Sequence, residues 1–477
     1  MSQEKIALLH SRYNPKGEAE RYINALSPGE KTRFFILIEP GLGYMIAPLR
    51  KKVPGAKIIA LHAQAPPVMD RSHESLLPPD SQWHPGAGMP VQDFLEREIP
   101  DSAAAEIRIL EWRPALAVYG GAYLALVEES AEFIKRSDAN FRTLNVFGKR
   151  WLRNFFKNLE IIRSVIRPVP LSVPLIVTGA GPSLEDAIPF IHDARQGSIF
   201  VLAVSSSAAA LKAAGIKPDM AISTDGGLWA LFHLFDGFRA KDFYPLAAAM
   251  TAALPSQCAG LPVLPICDGS LWQTLILREL KIPFIALPQR GTVAASALDL
   301  AFALTGGGIF ISGLDLANSG IRSHARPYGL DRFLEEKAGR LNPVYSQTFK
   351  RSGLLKTGGS YGIYASWFEK QLAAYPKRLY SLGKNNRVFD ALETMSLENA
   401  AAKFPAKFET ITLHFAESPA RKACGVLEKA LQNSSHSEAL RNELSPILLD
   451  GKPDPFARDL IEALRSLISC GGGNPNG

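Results

Sequence analysis

Cysteine is scarce in this chain: four are present in 477 residues (Cys258, Cys267, Cys424, Cys470), and no two are spaced C-x-x-C. A disulfide-stapled scaffold is excluded by that count, and free thiols with no structural zinc or other metal are expected. Long apolar runs are also missing. None reaches the roughly 18 residues that cross a bilayer, so no membrane insertion is expected. The start, Met1-Ser-Gln-Glu-Lys-Ile-Ala-Leu-Leu9, carries too short an apolar stretch for a secretory signal, which points to a cytoplasmic protein. Charge of one sign is not in large excess either. Fifty-three Lys and Arg oppose 46 Asp and Glu, and a net +7 permits an anionic ligand without demanding nucleic acid.

What is present describes an ordinary folded chain of two or three domains: 47% hydrophobic residues, 21% charged, 38 Gly and 34 Pro. From 1 to 140 the pattern is that of a smaller N-terminal α/β domain. Arg33–Ile38, Ala56–Leu61 and Leu116–Tyr119 read as its strands, and a loop with six prolines runs from Pro66 to Pro90. The turn Glu39-Pro-Gly41-Leu-Gly43-Tyr44 places two glycines at a strand end, which suits a nucleotide or any tight turn. Basic residues concentrate over 141–170, where Arg142, Lys149, Arg150, Arg153, Lys157, Arg163 and Arg167 face one acid, Glu160. Trp151, Phe155, Leu159, Ile162 and Ile166 recur there at helical spacing, and the stretch reads as a linker helix with a solvated basic face.

From 171 to 365 strands and helices alternate. Pro174–Thr178, Ser198–Val204 and Met220–Thr224 read as strands, separated by helices over Ser183–Ala194 and Ser206–Ala214. Ile282–Leu287, a helix over Ala294–Leu304 and Gly308–Ser312 extend the pattern. This is the alternation of a doubly wound, Rossmann-like, mostly parallel sheet, whose ligands sit at the carboxyl ends of the strands. Pro189 predicts a short or kinked helix after the first strand. The remainder, 366–477, reads as mainly helical, for example over Glu438–Glu443 and Phe456–Ile468, with a mobile Gly471–Gly477 tail.

The candidate chemistry gathers on that carboxyl edge. Gly179-Ala-Gly181-Pro182-Ser183 follows the first strand; its glycines allow close backbone approach, and Ser183 with Asp186 matches a capping box. A helix start aimed at an anion is one outcome, and a plain tight turn is the other. Ser205 and Ser206 end the second strand, where hydroxyls bind a base or ribose or cap the next helix. Asp225 ends the third, as a site carboxylate or a turn former. Gly313 and Asp315 end the last. Arg322-Ser-His324-Ala-Arg326 follows closely, with an imidazole suited to a general base and two arginines suited to phosphate or carboxylate.

Gly179-Ala-Gly-Pro-Ser-Leu184, Ala214-Gly-Ile-Lys-Pro-Asp219 leading to Ser223-Thr-Asp225, Ser312-Gly-Leu-Asp-Leu-Ala317 and His324 together resemble the motility-associated factor (Maf) glycosyltransferase family in order and spacing. Ile38–Tyr44, Leu355-Lys-Thr357 and Trp367-Phe-Glu369 look like it too, so the resemblance runs from Arg33 to Glu369. It implies transfer of a nonulosonic acid, a nine-carbon sugar of the sialic, pseudaminic or legionaminic type, from a CMP-activated donor to Ser or Thr of flagellin. No separate cofactor is implied, and homo-oligomers are compatible with it. The central region is similar to CMP-sialic-acid-dependent sialyltransferases, whose first motif is Gly-Asn-Gly-Pro-Ser; here Ala180 replaces that Asn, and Ser205 to Ser207 stand where another Asn is usual. On that resemblance Gly179, Gly181, Pro182 and Ser183, with Ser205, Ser206 and Gly313, hold the nucleotide. Asp225 and Asp315 line the nucleotide or acceptor side, His324 is the base, and Arg322 and Arg326 meet phosphate or carboxylate. A pterin pyrophosphokinase family shares the central motifs and keeps an ATP-using alternative open, and a non-catalytic protein that binds flagellin or the sugar nucleotide is the other alternative.

Overall fold

The structure is a computed structural model that describes residues 9–27, 29, 31–65, 77–171, 173–196, 199–237, 244–316, 322–343, 346, 364–365, 368–369, 372, 378–382, 409–433, 435–449 and 457–469. The Gly471–Gly477 tail, most of the motif over 355–367 and Ala317 lie outside the described residues. The chain divides into two compact units, Met1–Gly148 with Ser445–Asp454 and Lys149–Leu444 with Pro455–Gly477.

In the first unit β1 (Phe34–Ile38), β2 (Lys57–Leu61), β3 (Ser81–Trp83) and β4 (Ile107–Glu111) form a parallel sheet in the order β3-β2-β1-β4. Phe35, Ile36, Leu37, Ile58, Ile59 and Leu110 bury its centre, consistent with apolar runs covered on both faces. Leu116–Tyr119, expected as a strand, is instead part of the helix Pro114–Tyr119. Pro114 fixes φ for a helix start and lacks the N–H that a strand ladder needs. The strand falls one segment earlier, in Ile107-Arg-Ile-Leu-Glu111. The proline-rich stretch supplies β3 as well as loop.

A helix of 41 residues, Gly121–Ile161, crosses the division between the units at Gly148/Lys149. The residues read as a linker helix over 141–170 therefore separate into the end of this helix and a strand, β5 (Ser164–Ile166). Ile166 is a sheet residue, not part of the helical stripe. Within the second unit Phe155 is fully buried and meets Trp272 edge-on at 4.8 Å, so the end of the helix is core rather than connector.

The sheet of the second unit is built from β5, β6 (Leu175–Thr178), β7 (Phe200–Val204), β8 (Met220–Ser223), β9 (Leu246–Ala249), β10 (Pro262–Cys267), β11 (Ile285–Ala286), β12 (Ile309–Ser312), β13 (Leu379–Ser381) and β14 (Thr410–Thr412). Its order is β13-β12-β6-β7-β8-β9-β10-β5-β14, with β11 on β10, and every pairing is parallel except that of β14 with β5. Alternate residues serve opposite faces. Leu175, Val177, Leu202 and Ile311 enter one core with the helix Val293–Leu304, while Ile176, Val201, Ala203 and Phe310 enter the other with the helix Ser183–Gln196. Successive crossovers build outward from β6 to β10 on one side and place β12 on the other. The switch point of the sheet is therefore the β6/β12 edge, the position at which open α/β sheets form a crevice.

Pro189 neither ends nor shortens its helix, which runs through to Gln196. The C-terminal region is helical over Pro419–Asn433, Ser437–Leu448 and Ala457–Ser469, but β13 and β14 also belong to it. One of its side chains completes the sheet domain. The Glu443 carboxylate accepts the N–H groups of Leu271 and Trp272 at 2.9 and 3.1 Å, capping a helix whose own Ser270 makes no cap bond.

Candidate active site at the carboxyl edge of the second sheet

The loops after β6 and β12 are fused by their backbones. Gly179 N–H donates to Ser312 O and Gly181 N–H to Gly313 O, both at 2.7 Å. A Cβ on Gly179 would lie 2.2 Å from Gly313 O, and one on Gly313, whose φ is +68°, would lie 2.4 Å from Gly179 O. The close approach that these glycines permit is thus made first of all between the two loops.

The helix start behind them is occupied. Asp315, 8% exposed, accepts the Ser183 N–H at 3.1 Å through Oδ2, and a Cβ on Gly181 would meet that same oxygen at 1.8 Å. Burial pushes the Asp315 carboxyl up, the Ser183 donors oppose this, and nearby Asp186 adds to it. The anion expected at this helix start is therefore a carboxylate of the chain itself. Ser183 is the first helical residue rather than a residue preceding the helix, which is why the capping acid comes from across the sheet.

The histidine loop is tied to the same corner. Ala325 N–H donates to Ala180 O at 2.8 Å, Arg322 pairs with Glu185 at 2.7 Å, and Arg326 N–H reaches the other Glu185 oxygen at 3.0 Å. Glu185 thus clamps both ends of the loop. The Arg326 guanidinium meets Asp331 only at 4.0 Å and is half exposed. His324 Nδ1 lies 2.8 Å from Ser323 Oγ, and its ring stacks on Tyr328 at 3.8 Å and 11°. Ser323 and the Tyr328 ring thus fix the position and plane of the imidazole.

The ends of β7 and β8 complete the edge. Ser205 is buried and Ser206 half-buried, while Ser207 donates to Thr178 O and Val204 O at 3.0 and 2.8 Å and locks β7 to β6. Ser207 makes no side-chain cap bond to the helix that follows. Asp225 is exposed and accepts the Gly227 N–H at 2.7 Å, the bond of a turn former. The Ser223 and Ser312 hydroxyls are buried at the ends of β8 and β12 without a hydrogen-bond partner among the described residues. Gly179, Gly181, Ser183, Gly313, Asp315, Arg322 and Arg326 are thus joined by contacts, with His324 carried on the same loop. Asp225 sits further along the edge, in a turn held by other residues.

Those other residues went unnoticed in the sequence. Asn154 Nδ2 donates to Gly226 O and Thr251 O at 3.1 and 3.0 Å, and fully buried Asn158 Nδ2 donates to Met250 O and Ala252 O at 2.9 and 2.8 Å. A Cβ on Gly226 would strike Trp151 at 2.4 Å. The long helix therefore positions the loops after β8 and β9. The available signal was two asparagines four residues apart on the apolar side of a helix, since a buried amide must find partners. Glu185 was missed because Asp186 satisfied the capping pattern.

In the first unit the Gly41/Gly43 turn is filled by the protein. Gly41 has φ +61° and a Cβ there would lie 2.3 Å from His10 Nε2, the atom that accepts the Leu42 N–H at 3.1 Å. Burial lowers the His10 imidazole to about 4, which keeps that nitrogen an acceptor.

Residues 149–320 match the family model described as 6-hydroxymethylpterin diphosphokinase MptE-like. An uncharacterized protein of Treponema pallidum (strain Nichols) is 26% identical over 330 residues, covering 69% of this chain and 71% of that protein. Among solved structures, the Maf glycosyltransferase of Magnetospirillum magneticum AMB-1 aligns with a TM-score of 0.50 over 96% of this chain and 78% of that one, at 14% identity. No helix among the described residues is long and apolar enough to cross a membrane. The mixed α/β architecture with parallel sheets and a helical C-terminal region is thus one that this chain shares with a Maf glycosyltransferase.

Proposed function

We propose that the protein is an inverting glycosyltransferase that moves a nonulosonic acid from a CMP-activated donor to Ser or Thr hydroxyls of flagellin. The observation that carries this reading is the likeness to a Maf glycosyltransferase along nearly the whole chain, 96% of it. The gathering of His324, Arg326 and Asp315 at the switch point of the second sheet supports it. In the transfer, the acceptor hydroxyl gives its proton to a base as its oxygen bonds to the anomeric carbon. The bond from that carbon to the CMP phosphate oxygen breaks, and the electron pair leaves on the phosphate.

His324 is the proposed base, positioned by Ser323 and by the Tyr328 ring. Gly179, Gly181, Pro182, Ser183, Ser205, Ser206 and Gly313 line the nucleotide side, with Asp315 and Asp225 toward ribose or acceptor hydroxyls. Because Asp315 holds the Ser183 N–H, the leaving phosphate is assigned to Arg326, with Arg322 behind it, rather than to the helix start. A monophosphate leaving group asks little of a divalent metal. His324→Ala is expected to lower transfer to flagellin by at least about 100-fold in folded protein, within the usual range for a general base. Unchanged turnover would remove the assignment.

The family-model match over 149–320 favours a second reading, an ATP-using pyrophosphokinase acting on a pterin alcohol. Nucleotide preference separates the two.

A further inference from the structure

The helix Pro419–Asn433 turns Ala420, Ala423, Leu427 and Leu431 into the protein and leaves Arg421, Lys422 and Lys429 exposed on its other side. Its own acid is already taken. Glu428 accepts from Arg465 through both oxygens at 2.7 Å, and no ion pair among the described residues holds Arg421, Lys422 or Lys429. The start of the helix is closed as well, because Glu160 accepts the Ala420 N–H at 3.2 Å. The three cations are therefore offered along the side of the helix rather than at its end. A groove of about 840 Å³ lies on that side, lined by Arg421, Lys422, Gly425, Val426 and Lys429. Two acids line it too, Glu417 just before the helix and Glu279 at the end of the helix Leu271–Glu279, which packs against it. A Cβ on Gly425 would meet nothing within 4 Å, so the groove is open above that residue.

Lys422 and Lys429 stand two turns apart, about 10.5 Å along the axis, with Gly425 and Val426 between them on the same face. Cation, small apolar strip and cation thus recur at the spacing of one heptad, the pattern that a second helix reads across a coiled-coil seam. A helix laid in the groove with acids seven residues apart meets both lysines, and an apolar side chain between those acids enters the space over Gly425. The two glutamates discriminate among anionic partners. A nucleic acid or an anionic membrane presents phosphates throughout, presses them on Glu279 and Glu417, and has no use for Val426. A helix differs from edge to edge, so an acidic edge faces the lysines while a basic residue on the other edge answers Glu279.

We propose that this groove docks an amphipathic helix of a partner polypeptide, with acids seven residues apart on Lys422 and Lys429 and an apolar side chain over Gly425. The proposal does not depend on the transferase reading. The full chain is titrated, by fluorescence anisotropy, into a labelled synthetic helix carrying Glu-x-x-Leu-Leu-x-x-Glu. One twin peptide has Lys for both Glu, and another has Ser for both Leu. The first peptide is expected to bind about tenfold more tightly than either twin. Lys422→Glu combined with Lys429→Glu should reverse the choice in favour of the Lys peptide, a gain that a misfolded variant cannot show. Gly425→Leu fills the open space without changing charge or helix, and should weaken the first peptide about tenfold at an unchanged Tm. A choice that the double reversal leaves as it was overturns the proposal, and so does unweakened binding to Gly425→Leu or no binding of the first peptide. Single-stranded oligothymidylate and phosphatidylserine vesicles are titrated in parallel. Tighter binding of either would make the surface a phosphate reader and overturn the helix. A dimer that sediments in wild type and is lost in Gly425→Leu would make the occupant a second copy of this chain, which also overturns it.

Discussion

Gly179→Ala tests whether the glycine-rich turn serves the protein's own backbone. The added methyl would lie 2.2 Å from Gly313 O and 2.3 Å from Leu314 Cδ2, so the two loops must part by about 1 Å to reach ordinary contact. That separation pulls on both 2.7 Å bonds that join them, Gly179 N–H to Ser312 O and Gly181 N–H to Gly313 O. Overpacking costs about 1–3 kcal/mol, and a weakened buried backbone bond about 1 kcal/mol or more. A loss of about 3–5 kcal/mol is expected. At roughly 2 °C per kcal/mol for a unit of this size, Tm falls by about 6–10 °C. Gly313→Ala meets the same wall from the other side and adds a left-handed residue at φ +68°, at about 1–2 kcal/mol more. Once the loops have parted for one methyl the second is cheaper, so the double variant should lose less than the sum. Urea titration of wild type, both single variants and the double variant supplies the cycle. Gly179→Ala within about 0.5 kcal/mol of wild type, but deaf to nucleotide, would refute this reasoning and make ligand contact, not loop packing, what requires a glycine there.

Three further outcomes follow from single side chains. His10 is held near 4 in the folded chain against about 6.5 unfolded, so its contribution is whole above pH 6.5 and is lost as pH falls toward 4, by up to about 3 kcal/mol; His10→Gln should flatten that slope in acid denaturation, and an identical slope would contradict it. The Asp315 carboxyl is raised, so its ionised form is penalised in the fold and wild type loses stability as pH rises from about 3.8 through the folded value. Asp315→Asn, which keeps an acceptor for Ser183, should therefore match or exceed wild-type stability at pH 7, with the gap closing near pH 4; a variant markedly weaker at pH 7 would contradict the burial argument. Asn158→Leu removes two donors from buried carbonyls and should cost about 2–4 kcal/mol by chemical denaturation, whereas no loss would show that water replaces the amide.

Where a strand is buried on both faces its sequence is an unbroken apolar run, and β1, β2, β6, β7, β8 and β12 were legible for that reason. The strands that escaped reading lack that mark. Leu246-Ala-Ala-Ala249 has little β propensity, and Pro262-Val-Leu-Pro-Ile-Cys267 carries two prolines. Pro265 is tolerated where β10 passes from β5, paired at Pro262 and Val263, to β11, paired at Ile266 and Cys267. Such a step depends on partners distant in sequence. The glycine turn was legible as a place of close approach, but what approaches was not: Gly313 and Asp315 come from the far side of the switch point, and nothing near Gly179 announces them. The same holds for Arg322 and Arg326, whose acid, Glu185, precedes them by more than a hundred residues.

The most direct test of the central claim is a thermal-shift comparison of CMP, CDP, UDP and ATP, each with and without magnesium. A nucleotide that binds the folded chain and is supplied at about 100 times its dissociation constant stabilises it by roughly 2.7 kcal/mol. The account predicts a selective upward shift with CMP, independent of magnesium and reduced in Arg326→Ala. Stabilisation by ATP only in the presence of magnesium, with CMP silent, would contradict it and favour the pyrophosphokinase.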